Sequence, residues 1–444
     1  LAPLTDPALV PMAVAEVLGL QEEAGTPILR TLSEHLRSRH LLLILDNCEH
    51  LLDACARLVD TLLRECPGVR VLATSREGLG VPGERPHRVP SLSLPDPSRD
   101  TTPERLAQFE AVRLFVERAD LVQAGFQPTS QNAPALASIC HRLDGIPLAI
   151  ELAAARVRSL SVEEINDKLG QRFRLLTGGS RTALPRQQTL RSLIDWSYDL
   201  LNAAEKALLR RLSVFSGGWT LEAAEAVCAG DPVEEWEVLD LLTSLGDKSL
   251  LVAETSGKAA RYRFLETVRQ YARDRLLEEG DGERWRDRHL AHYRSLGEAA
   301  EPQLSGADQQ AWLERLEVEH DNVRAALSWA AESEGAAREE GLRLAGGIWR
   351  FWFVRGYFGE GRAWFSSLLS GEGGAASVRA KALIGAGKLA YYQADHASTR
   401  VLAEEGLALF RELGHREGIA AALNNLGNVA VNTGDQVSAR ALYE

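Results

Sequence analysis

Lysine is scarce in this chain: six residues, at 168, 206, 248, 258, 381 and 388, among fifty basic side chains. The sequence offers no physical reason for that bias. Cysteine is scarcer still. The five (48, 55, 66, 140 and 228) are scattered and none forms a Cys-x-x-Cys pair, which argues for reduced thiols and a cytoplasmic location. No apolar run approaches the roughly 18–20 residues that span a bilayer, so no membrane partner is expected. Positive charge is in deficit: the net charge of −12 argues against broad binding to nucleic acid or anionic membranes. No signal-peptide pattern opens the chain. His289-x-x-His292 lacks the Cys or carboxylate pattern that would complete a metal site.

What is present is an ordinary soluble-protein composition, 45% hydrophobic and 25% charged over 444 residues, enough for three or four domains. The chain starts on Leu1 and stops at Glu444 within a helical pattern, so both ends are expected to be cut ends. Two apolar runs organise the first hundred residues. Leu41–Leu45 shows no alternation and stops at Asp46-Asn47, which predicts a strand covered on both faces. Leu51, Leu52, Cys55, Leu58, Val59, Leu62 and Leu63 then recur at helical spacing. Pro67-Gly68 turns the chain into a second run, Val69–Ala73, which stops at Thr74-Ser75-Arg76. This is a βαβ unit, and ligands of such sheets lie beyond the carboxyl ends of the strands, where Asp46 and Arg76 would project. A simpler reading competes: Asp46-x-x-Glu49 and Thr74-x-x-Glu77 each fit a capping box opening a helix.

Helices are expected over 11–18 and 27–39 before the βαβ unit. Six prolines between Val81 and Pro103 predict an extended segment that ends the α/β part. The pattern is helical beyond it. Gly145 suits a helix C-terminus and Pro147 the first turn of the next helix. Helices over 189–245, then Ser249–Glu254, Gly257 and Arg261–Phe264, read as a winged helix. Acids outnumber bases across 187–280, which favours a structural role over DNA reading. Beyond Asp281 a repeat of 40 emerges: Gly347, Gly387 and Gly427 align, as do Asp395 with Asp435 and Arg400 with Arg440. Small residues at such offsets let paired helices pack closely. The spacing is similar to tetratricopeptide repeats with lengthened loops. A repeat array cut at its end should expose an apolar face near Leu426, Val429 and Leu442.

The segments Asp46–Leu51, Ala73–Glu77, Leu143–Ala149 and Phe264–Ala272, in that order, resemble the STAND class of signal-transducing ATPases. The nearest group is the bacterial NB-ARC-type regulators that accompany LuxR-, AfsR- or adenylate-cyclase-type effector domains. The resemblance implies a Walker B strand whose Asp46 holds the Mg²⁺ of ATP or ADP, a sensor Arg76 at the γ-phosphate, and Pro147 packed on adenine with Gly145 permitting the turn. It also implies self-association through the ATPase core, a protein or small-molecule ligand at the repeats, and DNA contact only through a separate effector domain. Three departures stand out. The phosphate-binding loop Gly-x-x-x-x-Gly-Lys-Ser/Thr occurs nowhere; in the family it precedes the point where this chain begins. Asn47 replaces a second acid, so hydrolysis would need Glu49 as the weak candidate base. Leu265 replaces the winged-helix His that touches the β-phosphate.

The expected architecture is therefore multidomain. It comprises a truncated α/β P-loop-type parallel sheet (1–102), a helical domain with Gly-Ile-Pro (103–186) and a winged helix (187–280). Linking helices (281–338) and an all-α tetratricopeptide-like solenoid (339–444) follow. The expected function is that of a fragment of an ATP/ADP-switched regulator, itself without a competent P-loop. The rivals are a non-enzymatic repeat scaffold with a vestigial ATPase core and a direct DNA-binding winged-helix regulator.

Overall fold

The computed structural model describes all residues except 5, 23, 24, 76, 88, 98, 101, 177–184, 257, 258, 372 and 373, with backbone only for the rest of 170–190 and for 192, 255, 256 and 259. Two compact units result. One comprises residues Leu1–Pro86, Phe215–Gly217 and Arg286–Glu444, the other His87–Val214 and Gly218–Trp285.

The first unit opens with α1 (Val10–Val17), α2 (Ile28–Leu36), β1 (Leu41–Leu45), α3 (Leu52–Glu65) and β2 (Val69–Ala73). The helical spacing after Leu51 produces α3, whose buried stripe includes Cys55, Leu58, Val59 and Leu62. The strands pair in parallel, Leu41 opposite Val69 through Leu45 opposite Ala73. Leu43, Leu45 and Val69 join Leu32, Leu36 and Leu58 in one core. The expectation that β1 is covered on both faces is not met. Leu42 and Ile44 are 59% and 60% exposed, and Leu72 is 52% exposed. Successive strand residues point to opposite faces, and the helices pack on one face only. An unbroken apolar run therefore yields an alternating burial pattern.

The second unit begins with a stretch whose described residues through 100 form no helix or strand, then α4 (Pro103–Leu106), α5 (Glu110–Val122), α6 (Ala133–Arg142), α7 (Pro147–Ala154), α8 (Val162–Leu176) and α9 (Pro185–Asp199). A winged helix follows: α10 (Ala203–Leu212), β3 (Trp219–Thr220), α11 (Leu221–Cys228), α12 (Val238–Asp247), β4 (Val252–Ser256), β5 (Ala259–Arg263) and α13 (Glu266–Glu279). Its antiparallel sheet has the order β3-β5-β4. The first wing strand begins later than expected because Ser249 takes a left-handed turn, φ 57°. The expected turn at Gly257 lies outside the described residues. In this unit the Phe264–Ala272 stretch reaches α9 through Tyr271. Tyr271 Oη donates to Asp195 Oδ1 at 2.7 Å, and Arg275 donates to both, clasping α13 to α9.

The remaining helices are α14 (Gly282–Gln303), α15 (Gln309–Val318), α16 (His320–Glu332), α17 (Ala336–Arg355), α18 (Phe358–Leu369), α19 (Ala376–Tyr392), α20 (His396–Glu412), α21 (Arg416–Asn432) and α22 (Gln436–Tyr443). The 40-residue repeat has a structural counterpart in the paired starts of α19 and α21, and of α20 and α22. Asp395 and Asp435 cap equivalently, accepting from the amides of Ser398 and Ser438. Gly347 permits a close crossing, since a Cβ there would sit 2.8 Å from the Gly297 carbonyl oxygen. Gly387 is different: its Cβ would make ordinary contact at 3.6 Å, so spacing alone overstated its role. The expected apolar face near Leu426, Val429 and Leu442 is also corrected. Val429 is buried and the other two are half-buried, while the exposed apolar positions nearby are Val431, Val437 and Tyr443, at 41%, 83% and 49%. No helix among the described residues is long and apolar enough to cross a membrane.

Candidate functional site

The carboxyl ends of β1 and β2 are tied together by Thr74. Its amide donates to the Leu45 carbonyl, and its own carbonyl accepts from the Cys48 amide, both at 2.9 Å. Its hydroxyl donates to Asp46 Oδ1 at 2.5 Å and accepts from the Asn47 amide at 3.0 Å. Asn47 adopts φ 61°, a left-handed geometry that Asn tolerates better than most residues. Asp46 is exposed and Glu49 is half-buried.

Neither residue caps a helix. α3 begins at Leu52, with Leu51 at its N-cap and no side-chain capping bond. The capping-box reading of Asp46-x-x-Glu49 therefore has no counterpart here. Thr74-x-x-Glu77 opens no helix either, as β2 leads into irregular chain at Thr74 and Ser75. Arg76 lies outside the described residues.

Gly145 and Pro147 belong to the other unit. Gly145 adopts φ +63°, and its carbonyl accepts from the Leu92 amide at 3.0 Å. A Cβ on Gly145 would stand 2.4 Å from the Leu92 carbonyl oxygen, so the turn has a structural requirement for glycine. Pro147 is the first residue of α7, where its missing N–H costs nothing. It lines a cavity of about 810 Å³ together with Leu92, Val112 and Phe126, and with the acids Glu110, Glu117, Asp120 and Glu151. The cavity is large enough for an adenine ring, but its acids do not suit phosphates.

In the winged helix the described cations are engaged internally. Arg211 is buried and donates to the carbonyls of Cys228, Gly230 and Asp231 at 2.9, 2.7 and 2.6 Å. Its guanidinium lies 4.0 Å from the centre of the Trp285 ring. Lys248 pairs with buried Glu205, Arg263 with Glu254, Arg269 with Glu266, and Arg210 with Glu279. Phosphate binding needs free cations, and this surface offers few.

On the repeats, a pocket of about 440 Å³ is lined by Trp349, Lys381, Ile384, Lys388 and Phe410. Lys388 Nζ stands 4.4 Å from the Trp349 ring centre. Burial, and then the charge of Arg350, pulls its pKa below the usual lysine range.

Residues 201–277 match the family described as winged helix-turn-helix domain. A Mycobacterium tuberculosis protein named "Putative HTH-type transcriptional regulator" is 43% identical over 439 residues, covering 96% of this chain and 48% of its own length. The chain thus spans about half the length of that relative. An uncharacterized M. tuberculosis protein is 43% identical over 295 residues, 66% of this chain and 71% of that protein. The regulatory protein AfsR of Streptomyces coelicolor is 30% identical over 171 residues, 38% of this chain and 16% of AfsR. Among solved structures, a Signal Transduction ATPase with Numerous Domains (STAND) with a tetratricopeptide repeat sensor, from Pyrococcus horikoshii, aligns with a TM-score of 0.40 at 14% identity. That alignment covers 94% of this chain and 63% of that one, a likeness too loose to bear on function.

Proposed function

The chain belongs to the same family as that uncharacterized mycobacterial protein, and on that footing we propose that it is the switch and sensor part of a STAND-class, NB-ARC-type transcription regulator that alternates between ADP and Mg-ATP. The observation that carries this reading is the Asp46 carboxylate. It is exposed at the carboxyl end of a parallel strand and held by the threonine that follows the neighbouring strand, with no helix to cap. A carboxylate so placed suits the Mg²⁺ of a bound nucleotide. The family resemblance would further give Arg76 the γ-phosphate and Pro147 the adenine. The regulatory output is drawn from the relatives' names. The winged helix serves as a structural module, because its described cations are already paired within the protein.

The test is calorimetry with Mg-ATP on a protein carrying a phosphate-binding loop upstream, beside its Asp46→Asn variant and the 444-residue chain. The variant should bind Mg-ATP at least tenfold more weakly and match its parent when Mg²⁺ is chelated. The 444-residue chain lacks that loop's donors, each worth roughly 1.5–3 kcal/mol. Three of them amount to about 4–9 kcal/mol, which puts its affinity in the millimolar range or beyond. Equal Mg-ATP affinity in parent and variant would overturn the Mg²⁺ role. No nucleotide binding by the loop-bearing protein would leave the repeat scaffold as the function.

A further inference from the structure

Outside the nucleotide site, the first unit gathers charged groups from sequence positions about three hundred residues apart. Glu16 comes from the last turn of α1, Glu317 from the last turn of α15, and His320 from the start of α16. One carboxylate oxygen from each Glu and one ring nitrogen of His320 all lie within 4.8 Å of one another. His320 is 3% exposed, packed against Tyr357 on its face and Phe351 on its edge. Its Nε2 stands 3.0 Å from Glu360 Oε1, yet neither ring nitrogen makes an aligned hydrogen bond, and Nδ1 has no partner at all. Glu360 is fixed in turn by a two-pronged contact from Arg324, at 2.9 and 2.8 Å.

We propose that Glu16, Glu317 and His320 form a binding site for a divalent transition-metal ion of the Zn²⁺ type, with Glu360 orienting the histidine. Donor chemistry selects the class: one imidazole with two carboxylates suits Zn²⁺ and its first-row neighbours, whereas Mg²⁺ and Ca²⁺ favour all-oxygen sets. A carboxylate behind a ligating histidine is the usual second support of such sites. Glu317 and His320 flank the break between α15 and α16 at Glu319, which brings the end of one helix and the start of the next to the same place.

Charge balance points the same way. Glu16, Glu317, Asp321 and Glu360 face two guanidiniums, Arg324 and Arg355. With His320 neutral, as a ligating imidazole must be, four carboxylates against two guanidiniums leave a net charge of −2, which a divalent cation would balance. A bound ion would join α1 of the α/β segment to the α15–α16 corner of the helical array.

The experiment is titration of chelator-treated 444-residue chain with ZnCl₂ against a chromophoric competitor, together with melting curves. One equivalent should bind at micromolar affinity or tighter and raise the melting midpoint. Glu16→Gln and His320→Gln should each weaken binding at least tenfold and abolish the midpoint rise. Glu16 is half-exposed, so its variant should fold and, in EDTA, melt like its parent. The absence of saturable binding would overturn the proposal. So would one-equivalent binding that neither substitution affects, which would point to His289 and His292 instead.

Discussion

At the scale of single residues, Arg211 shows how a charge counted in a sequence can be misjudged. On composition it is one of several bases in a winged helix and a candidate for phosphate contact. In the fold it is a buried bracket, holding the end of α11 and the chain just after it by the carbonyls of Cys228, Gly230 and Asp231 and lying against Trp285. Hydrogen bonds to charged groups are worth roughly 1.5–3 kcal/mol each, though removing one arginine never loses the full sum. Arg211→Ala should therefore cost about 3–5 kcal/mol in urea denaturation. Arg211→Lys should recover little of it, because a point ammonium cannot reproduce a planar fork. A loss below about 1 kcal/mol would remove the bracket reading. Nothing in the pattern could have revealed this role, since its partners are backbone carbonyls and one distant tryptophan. The position of Asp46 was legible, because an acid closing an apolar run marks a strand end. The Thr74 hydroxyl that holds it was not, because hydrogen-bond partners across a parallel pair leave no trace in spacing.

At the scale of elements, helices with strong periodicity and clear punctuation came out close to their expected bounds. The helix expected from 27 to 39 ends at Leu36, and that expected from 11 to 18 spans Val10–Val17. The β1 face did not, because periodicity reports what a strand is made of and not how many layers cover it. Gly145 tests the division between structural and ligand roles. Its left-handed φ and the 2.4 Å approach to Leu92 make any side chain strained twice over, once in the backbone and once by overlap. Gly145→Ala should destabilise the nucleotide-free protein by about 2–4 kcal/mol, detectable by thermal melting without any ligand. If glycine is there only to admit a nucleotide, the melting midpoint will not move.

At the scale of the whole chain, acid sensitivity should be dominated by groups that folding buries in the first unit. His289 is 2% exposed, ringed by Phe215 and Tyr293, with Nε2 3.5 Å from Asn322 Oδ1. Burial draws its pKa from 6.5 to about 3, with His292 adding to the effect and Asn322 opposing it. Between those values the unfolded chain binds a proton that the folded chain refuses, so its contribution falls as pH drops through 6.5, by up to tenfold in the folding constant per pH unit.

Glu360 acts later. Burial alone would raise its carboxyl, but His320 and Arg324 outweigh that and hold it below the usual range. Its contribution is lost only as pH falls below about 4.5. Glu16 and Glu22, both raised chiefly by burial, work in the opposite sense, gaining a proton on folding above 4.5. The slope of the parent is therefore a difference of opposing contributions and decides little by itself. The decisive quantity is the gap between parent and His289→Gln, measured by urea unfolding from pH 7.5 to 4. If His289 titrates as its burial dictates, the variant's deficit at pH 7.5 shrinks steadily below pH 6.5, and it can become the more stable protein near pH 4. A gap that stays constant over that range would mean the imidazole accepts its proton in the folded state, and that the pocket formed by Phe215, Tyr293 and Asn322 opens to water to let it.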